Sequence, residues 1–177
     1  MTNRFTLKAQ NVLNNSLHLA RDLGHTYVGS EHLLLSLAAE RDSVAAKLLE
    51  KRGVRYDNVR EAIVREVGEG AHSDVTPADM TPRTKRIIEH SAMESLRTGQ
   101  NYIGTEHILA ALISEQDSVA AKLSEELHAS LADIKADLAA FFGVSNDKSA
   151  ATPREGGARE KKKDSSLAKS PTLSQYG

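Results

Sequence analysis

Two acid–imidazole pairs carry the most chemistry in this chain: Glu31-His32 and Glu106-His107, each preceded by a glycine and a hydroxyl residue (Gly29-Ser30 and Gly104-Thr105). Adjacent helical residues point roughly 100° apart, so neither pair can close on one metal ion. No HExxH spacing is present, and no Ser-His-Asp order suggests a nucleophile. A carboxylate in the first turn of a helix instead complements the exposed N–H groups and the dipole. The histidines are expected to pack or to close a helix cap. Two threonines, Thr6 and Thr81, are natural N-caps. Helix starts of this kind leave N–H groups that can hold an anion. Arg4, Lys8, Arg83 and Lys85 lie close to them in sequence and can add positive charge, or can be solvated surface.

The elements that must position these groups come in duplicate. Tyr27, Gly29, Glu31, His32, Leu34 and Leu37 recur at a constant offset of 75 residues as Tyr102, Gly104, Glu106, His107, Leu109 and Leu112. The run DSVAAKL at Asp42–Leu48 returns letter for letter at Asp117–Leu123. Thr6 matches Thr81, Gly24 matches Gly99 and Gly68 matches Gly143 without a gap. Each copy, about 1–68 and 79–143, reads as four helices from its apolar spacing. In the first copy Thr6 starts a helix and Gly24 stops it. Ser30 is expected to cap a second helix, Asp42 or Ser43 a third, and Gly68 to end a fourth. In the second, Thr81-Pro82 places proline at the first helical position. One copy alone sits near the lower size limit for a stable core. The expectation is therefore an all-α fold in which two four-helix repeats pack as one pseudo-twofold, eight-helix domain. The polar segment 69–78 between them reads as a mobile linker. After Gly143 the chain turns rich in Ser, Lys, Gly and Pro, so 144–177 reads as a flexible tail. Leu7, Val12, Leu13 and Met80 could line a surface groove rather than the core.

Composition narrows the function classes. Lys and Arg number 23 against 24 Asp and Glu, a net charge of −1, which gives no basic footprint for general nucleic-acid binding. The run Arg159–Lys163 is read as a solvated linker. There is no cysteine, hence no disulfide frame and no thiol chemistry. This fits a reducing cytoplasm. No apolar run has the length of a membrane helix, and the first residues lack a secretion signal.

The segments GSEHLLLSL at Gly29–Leu37 and GTEHILAAL at Gly104–Leu112 resemble the paired signature of the N-terminal repeats of Clp-type (Hsp100) unfoldases. So do RFTLKAQNVL at the start, TPRTKRIIE at Thr81–Glu89 and the twin SVAAKL segments. The GTEH form with VAAK is most similar to the ClpC branch. Ser30 stands where threonine is usual, Met80 where phenylalanine is common, and Ala110-Ala111 replace a common Leu-Gly. The resemblance implies a domain that captures substrate proteins, unfolded or marked with phosphoarginine, and adaptor proteins. In such domains a glutamate, here Glu31 and Glu106, grips the guanidinium of phosphoarginine. It further implies a hexameric ATP-driven motor and a ClpP-type protease. SPTLSQYG looks like the connector to the first ATPase ring. No GxxxxGK[ST] phosphate loop occurs, so this chain is expected to be a binding domain and not an enzyme, with no cofactor of its own and ATP confined to ATPase modules beyond it. The chain by itself is expected to be a monomer. A stand-alone Clp-repeat stress or adaptor protein without a motor is the competing reading.

Overall fold

The computed structural model describes residues 4–151, with side chains as far as Gly143. They form α1 (Leu7–Asp22), α2 (Ser30–Ala39), α3 (Val44–Lys51), α4 (Tyr56–Glu66), a short 3-10 turn (Pro77–Asp79), α5 (Pro82–Arg97), α6 (Thr105–Ser114), α7 (Val119–Glu126) and α8 (Leu131–Ala151). The fold is all-α. Its only extended pairings among the described residues are two isolated parallel bridges, Phe5 with Ile103 and Val28 with Met80. The chain divides into two compact units, Met1–Ala139 and Ala140–Gly177. The helix starts and the candidate site lie in the first, and α8 runs from the first into the second.

Helix starts follow the hydroxyl residues. Thr6 and Thr81 accept from the N–H of Ala9 and Thr84, each at 3.1 Å. Ser43 and Ser118 do the same for Ala46 and Ala121, each at 3.1 Å. Gly24 and Gly99 close α1 and α5 at φ 77° and 79°, a backbone region open to glycine at little cost. Gly68, at φ 97°, ends α4, but its counterpart Gly143 does not end α8, which runs on to Ala151. A lone interior glycine costs a helix about 1 kcal/mol relative to alanine. No second breaker follows Gly143 until Pro153, whereas Gly68 is followed two residues later by Gly70. Past Ala151 the expected tail lies outside the described residues.

The two repeats interlock through α2 and α6. Ser30 to Ala38 and Thr105 to Leu112 are buried without a break, the pattern of a helix enclosed on all sides. α2 packs against α6, α7 and α5 of the other repeat, and α6 against α3 and α1. Leu33, Leu34, Leu35 and Leu37 are essentially inaccessible, each contributing roughly 1.5–3 kcal/mol of burial.

Two expectations fail here. Gly29, not Ser30, is the N-cap of α2. The Ser30 hydroxyl points into the other repeat and accepts from the N–H of Ala120 in α7 at 3.1 Å. Thr105 reciprocates, accepting from Ala45 in α3 at 3.2 Å. Each central helix thus caps a helix of the opposite repeat. The linker is also not loose. Gly70 N–H donates to the Leu23 carbonyl at 2.8 Å, Ser73 N–H to Arg21 at 3.1 Å, and the Ser73 hydroxyl to His25 at 2.6 Å. Arg21 Nε donates to the Val75 carbonyl at 2.8 Å. Val75 is buried with Ala20 and Val28, and Leu17 and Met80 pack on the cluster. One apolar anchor and a row of backbone acceptors hold a segment whose composition alone suggests a free strand.

Candidate functional site

The two bridges decide which groups meet. Thr6 N–H donates to the Ile103 carbonyl at 2.9 Å, and Ile103 N–H donates to Arg4 at 2.7 Å. Ile103 lies three residues before Glu106. The start of α1 is therefore tied to the start of α6 in the other repeat. The mirror arrangement ties Thr81 N–H to the Val28 carbonyl at 3.0 Å, and Val28 N–H to Asp79 at 3.1 Å. That sets the start of α5 beside the start of α2, which carries Glu31. The pairing is swapped: Thr6 goes with Glu106, and Thr81 with Glu31.

Each carboxylate folds back over its own helix start. A Cβ placed on Gly29 would lie 2.5 Å from Glu31 Oε1, and one on Gly104 2.6 Å from Glu106 Oε1. The missing side chain at each N-cap is what lets the acid sit there. Tyr27 donates its hydroxyl to Glu31 Oε2 at 2.7 Å, and Tyr102 to Glu106 Oε2 at 3.4 Å. Only 2% of Glu31 and 5% of Glu106 is exposed, so both acids are covered. Burial raises the pKa of Glu106, while its own backbone and the hydroxyls of Tyr102 and Thr105 pull it back down. Burial, then the neighbouring carboxylate, raises both tyrosine hydroxyls as well.

The histidines close the caps, as expected. Gly29 N–H donates to His32 Nδ1 at 2.9 Å and Gly104 N–H to His107 Nδ1 at 3.0 Å. His32 Nε2 lies 2.7 Å from His25 Nδ1, and His25 Nε2 lies 2.8 Å from the Gly68 carbonyl. With both rings neutral, one proton order satisfies the whole chain: Nε2–H of His32 donates to His25, and Nε2–H of His25 donates to Gly68. His107 Nε2 lies 3.1 Å from Thr98 Oγ1. Burial lowers the pKa of His32 to about 3, with His25 adding to the effect, and lowers that of His107 to about 4. Such rings are structural bases held neutral. Among the described residues no group of three or more His, Asp or Glu could hold a metal ion.

The cations scatter. Arg4 Nη2 stands 3.5 Å from Ser95 Oγ, at the C-terminal end of α5. Lys8 Nζ donates to the Asp42 carbonyl at 2.8 Å, and Arg83 Nη1 to the Asp117 carbonyl at 2.8 Å. These two are repeat counterparts, and both brace the loop before the next pair of helices. Arg83 also pairs with Glu115, Nε to Oε1 at 3.4 Å. Lys85 is exposed on the second turn of α5. Of the groove residues, Leu7 is 72% exposed and Leu13 half-buried, but Val12 is wholly buried in the core and lines no surface. Met80 packs on the Val75 cluster. Sequence reasoning noted the tyrosine repeat without giving it a role. Its constant place two residues before each N-cap glycine was the available signal. No described helix is long and apolar enough to cross a membrane.

Comparison with known proteins agrees with this layout. The family model described as the Clp repeat (R) N-terminal domain matches residues 4–127 and 79–158. The chloroplastic chaperone ClpC of Pisum sativum is 37% identical over 177 residues, all of this chain and 18% of that protein. The ClpA homolog of Porphyra purpurea is 34% identical over the same 177 residues, 21% of its length. The chain thus spans about a fifth of these relatives. The crystal structure of the N-terminal domain of ClpD from Arabidopsis thaliana superposes with a TM-score of 0.67 at 28% identity, covering 80% of this chain and 96% of that one. A ClpV N-domain solved in complex with a VipB peptide shares the fold, with a TM-score of 0.59 at 18% identity, over 80% of this chain and 88% of that one. The interlocked repeats, the twin glutamate-bearing helix starts and these matches agree that the chain belongs to the Clp repeat N-terminal domain family.

Proposed function

We propose that this chain is the substrate- and adaptor-binding domain of a ClpC-type ATP-driven unfoldase, and that it reads phosphoarginine at two composite sites, Glu106 with Thr6 and Glu31 with Thr81. The observation that supports the reading is the swapped pairing, which sets a glutamate-bearing helix start beside a threonine-capped one twice over. The chemistry is complementary. A phosphoarginine keeps guanidinium N–H donors that match a carboxylate fork. Its phosphate takes N–H groups at a helix start, and α1 offers those of Leu7 and Lys8. At α5 the first position is Pro82, which has no N–H, so that start supplies one donor fewer. Because the carboxylates are covered, the ligand must displace the tyrosine hydroxyl. The longer Tyr102 bond favours opening at Glu106 over Glu31. Two sites on one domain give avidity toward multiply marked chains.

Calorimetric titration with free phosphoarginine tests this reading. The wild type binds two equivalents, Glu31→Ala and Glu106→Ala bind one each, and the double variant binds none. No heat with the wild type sinks the mark-reading role and leaves adaptor docking. For that role exposed Leu7 and the half-buried Leu13 remain the apolar candidates. On this reading the chain works in the cytoplasm, monomeric in isolation and without a cofactor. It delivers proteins to a ClpP-type protease through a hexamer assembled by other parts of the full-length protein.

A further inference from the structure

The linker's grip on α1 has an uncovered twin on α5. In the first repeat residues 69–75 lie over the C-terminal end of α1, bonded to the carbonyls of Arg21, Leu23 and His25 and anchored by Val75. One end is held by charge, Glu69 pairing with Arg60 at 3.1 Å, and His72 midway stands 3.8 Å from Asp22. A Cβ on Gly24 would collide with the backbone of Gly70 and Ala71. Among the described residues no segment lies over the same face of the second repeat. A Cβ on Gly99, which has the same left-handed backbone, would meet no atom within 4 Å. Leu96, the counterpart of Arg21, is 64% exposed, and Met93 beside it 65%. The floor remains, with Ile103 and Phe5 where the first repeat has Val28 and Met80. The charges differ in a directed way. Arg97 replaces Asp22 and Arg4 stands where the first repeat has Asp79; Lys135 keeps the charge of Arg60, while Leu96 removes that of Arg21 and Glu94 replaces Leu19. Arg97 is held by Glu94 yet keeps 66% of its side chain exposed, and Arg4 reaches the same edge beside Ser95.

We propose that the C-terminal face of α5 docks an extended acidic peptide of a partner protein, laid down as residues 69–75 lie on α1. Small residues cross over Gly99, an aliphatic side chain packs on exposed Leu96 and Met93, and carboxylates answer Lys135 and Arg97. The molecule supplies the template for the occupant. It holds such a segment where the face is built for its own linker, and it presents the bare copy with extra positive charge.

The probe is a dye-labelled heptapeptide, Glu-Gly-Ala-Glu-Ser-Asp-Val, blocked at both ends and titrated into the full chain by fluorescence anisotropy. Binding should weaken at least ~10-fold in Leu96→Asp, an exposed position that leaves the core intact, and should fall with added salt. His18→Asp, at the counterpart of Met93 on α1, should change nothing, and phosphoarginine titration of Leu96→Asp should match wild type. The proposal is overturned by no binding at millimolar peptide, by equal binding to Leu96→Asp, or by equal binding of a peptide with lysine in place of each acid. Two other occupants would also overturn it. A concentration-dependent dimer abolished by Leu96→Asp would assign the face to a second copy. Shifts of the amide resonances of residues 152–177 on that substitution would assign it to the chain's own tail.

Discussion

Removing one hydroxyl, in Ser30→Ala, separates a local cap from a cross-repeat one. The Ser30 hydroxyl accepts from Ala120 N–H at 3.1 Å, and both residues are buried, at 4% and 2% exposure. Water cannot replace the lost acceptor, so the orphaned donor should cost about 1–3 kcal/mol, at or above the ~1 kcal/mol of an ordinary N-cap. Ser118 still holds the next amide, Ala121, which puts the expectation near the lower half of that range. Thr105→Ala removes the reciprocal bond to Ala45 and should cost a similar amount. If the two contacts act independently, the double variant loses about the sum. Urea unfolding followed by circular dichroism measures the stability, and amide exchange locates the effect. In Ser30→Ala the amide of Ala120 should exchange faster. The first-turn amide of Leu33, bonded to Gly29 within α2, should not. Ser30→Thr should restore both, since threonine does this work at Thr105. Stability within a few tenths of a kcal/mol of wild type, or faster exchange at Leu33 with none at Ala120, would refute the reasoning and return Ser30 to its own helix.

Acid should weaken the fold through its histidines. The folded-state pKa of His32 lies near 3 and that of His107 near 4, both below the ordinary 6.5, so the unfolded chain takes up protons first as pH falls. Their stabilisation is complete above about pH 6.5 and is lost on acidification toward 4 and 3, at up to ~1.4 kcal/mol per pH unit for each ring. His32→Asn should flatten that slope in urea titrations, because Asn58 already closes the start of α4 by accepting from Arg55 N–H at 2.8 Å; an unchanged slope would show that the ring is not the sensor. Gly29→Ala or Gly104→Ala drives a methyl onto the glutamate oxygen and should cost ~1–3 kcal/mol in thermal or urea unfolding. Wild-type stability would mean the carboxylate has somewhere else to rest.

Much of the architecture was legible because it rests on local rules and on duplication. The threonine and serine caps, the glycine stops at Gly24 and Gly99, and the closing role of His32 and His107 each follow from a residue type at a fixed offset within one helix. What could not be read were contacts made across long sequence distance. Ser30 satisfies every local rule for an N-cap, yet Gly29 takes the cap and frees the hydroxyl for α7, ninety positions away. The linker looks mobile by composition, and one valine with a run of carbonyl acceptors overrules that. Lys8 and Arg83 look free near the helix starts, but a long side chain finds an acceptor elsewhere: each turns to the loop carbonyl of Asp42 or Asp117. Val12 matched an amphipathic stripe whose direction only packing could set.

The swapped pairing explains why the copies stayed joined and where they were free to drift. Each candidate site takes its acid from one repeat and its helix start from the other, so neither repeat can build a site alone. The same holds for the two buried caps, which each central helix makes in its neighbour. Such shared contacts tolerate little change, and α2 and α6 keep the same acid, imidazole and small N-cap glycine in both copies. Divergence shows where the symmetry ends: Pro82 against Leu7 at the helix starts, Arg97 against Asp22 at the C-terminal ends, and a linker that follows the first repeat only. A duplicated fold with matched helix starts and unlike rims is suited to holding two similar ligands in its matched sites while presenting different faces to different proteins.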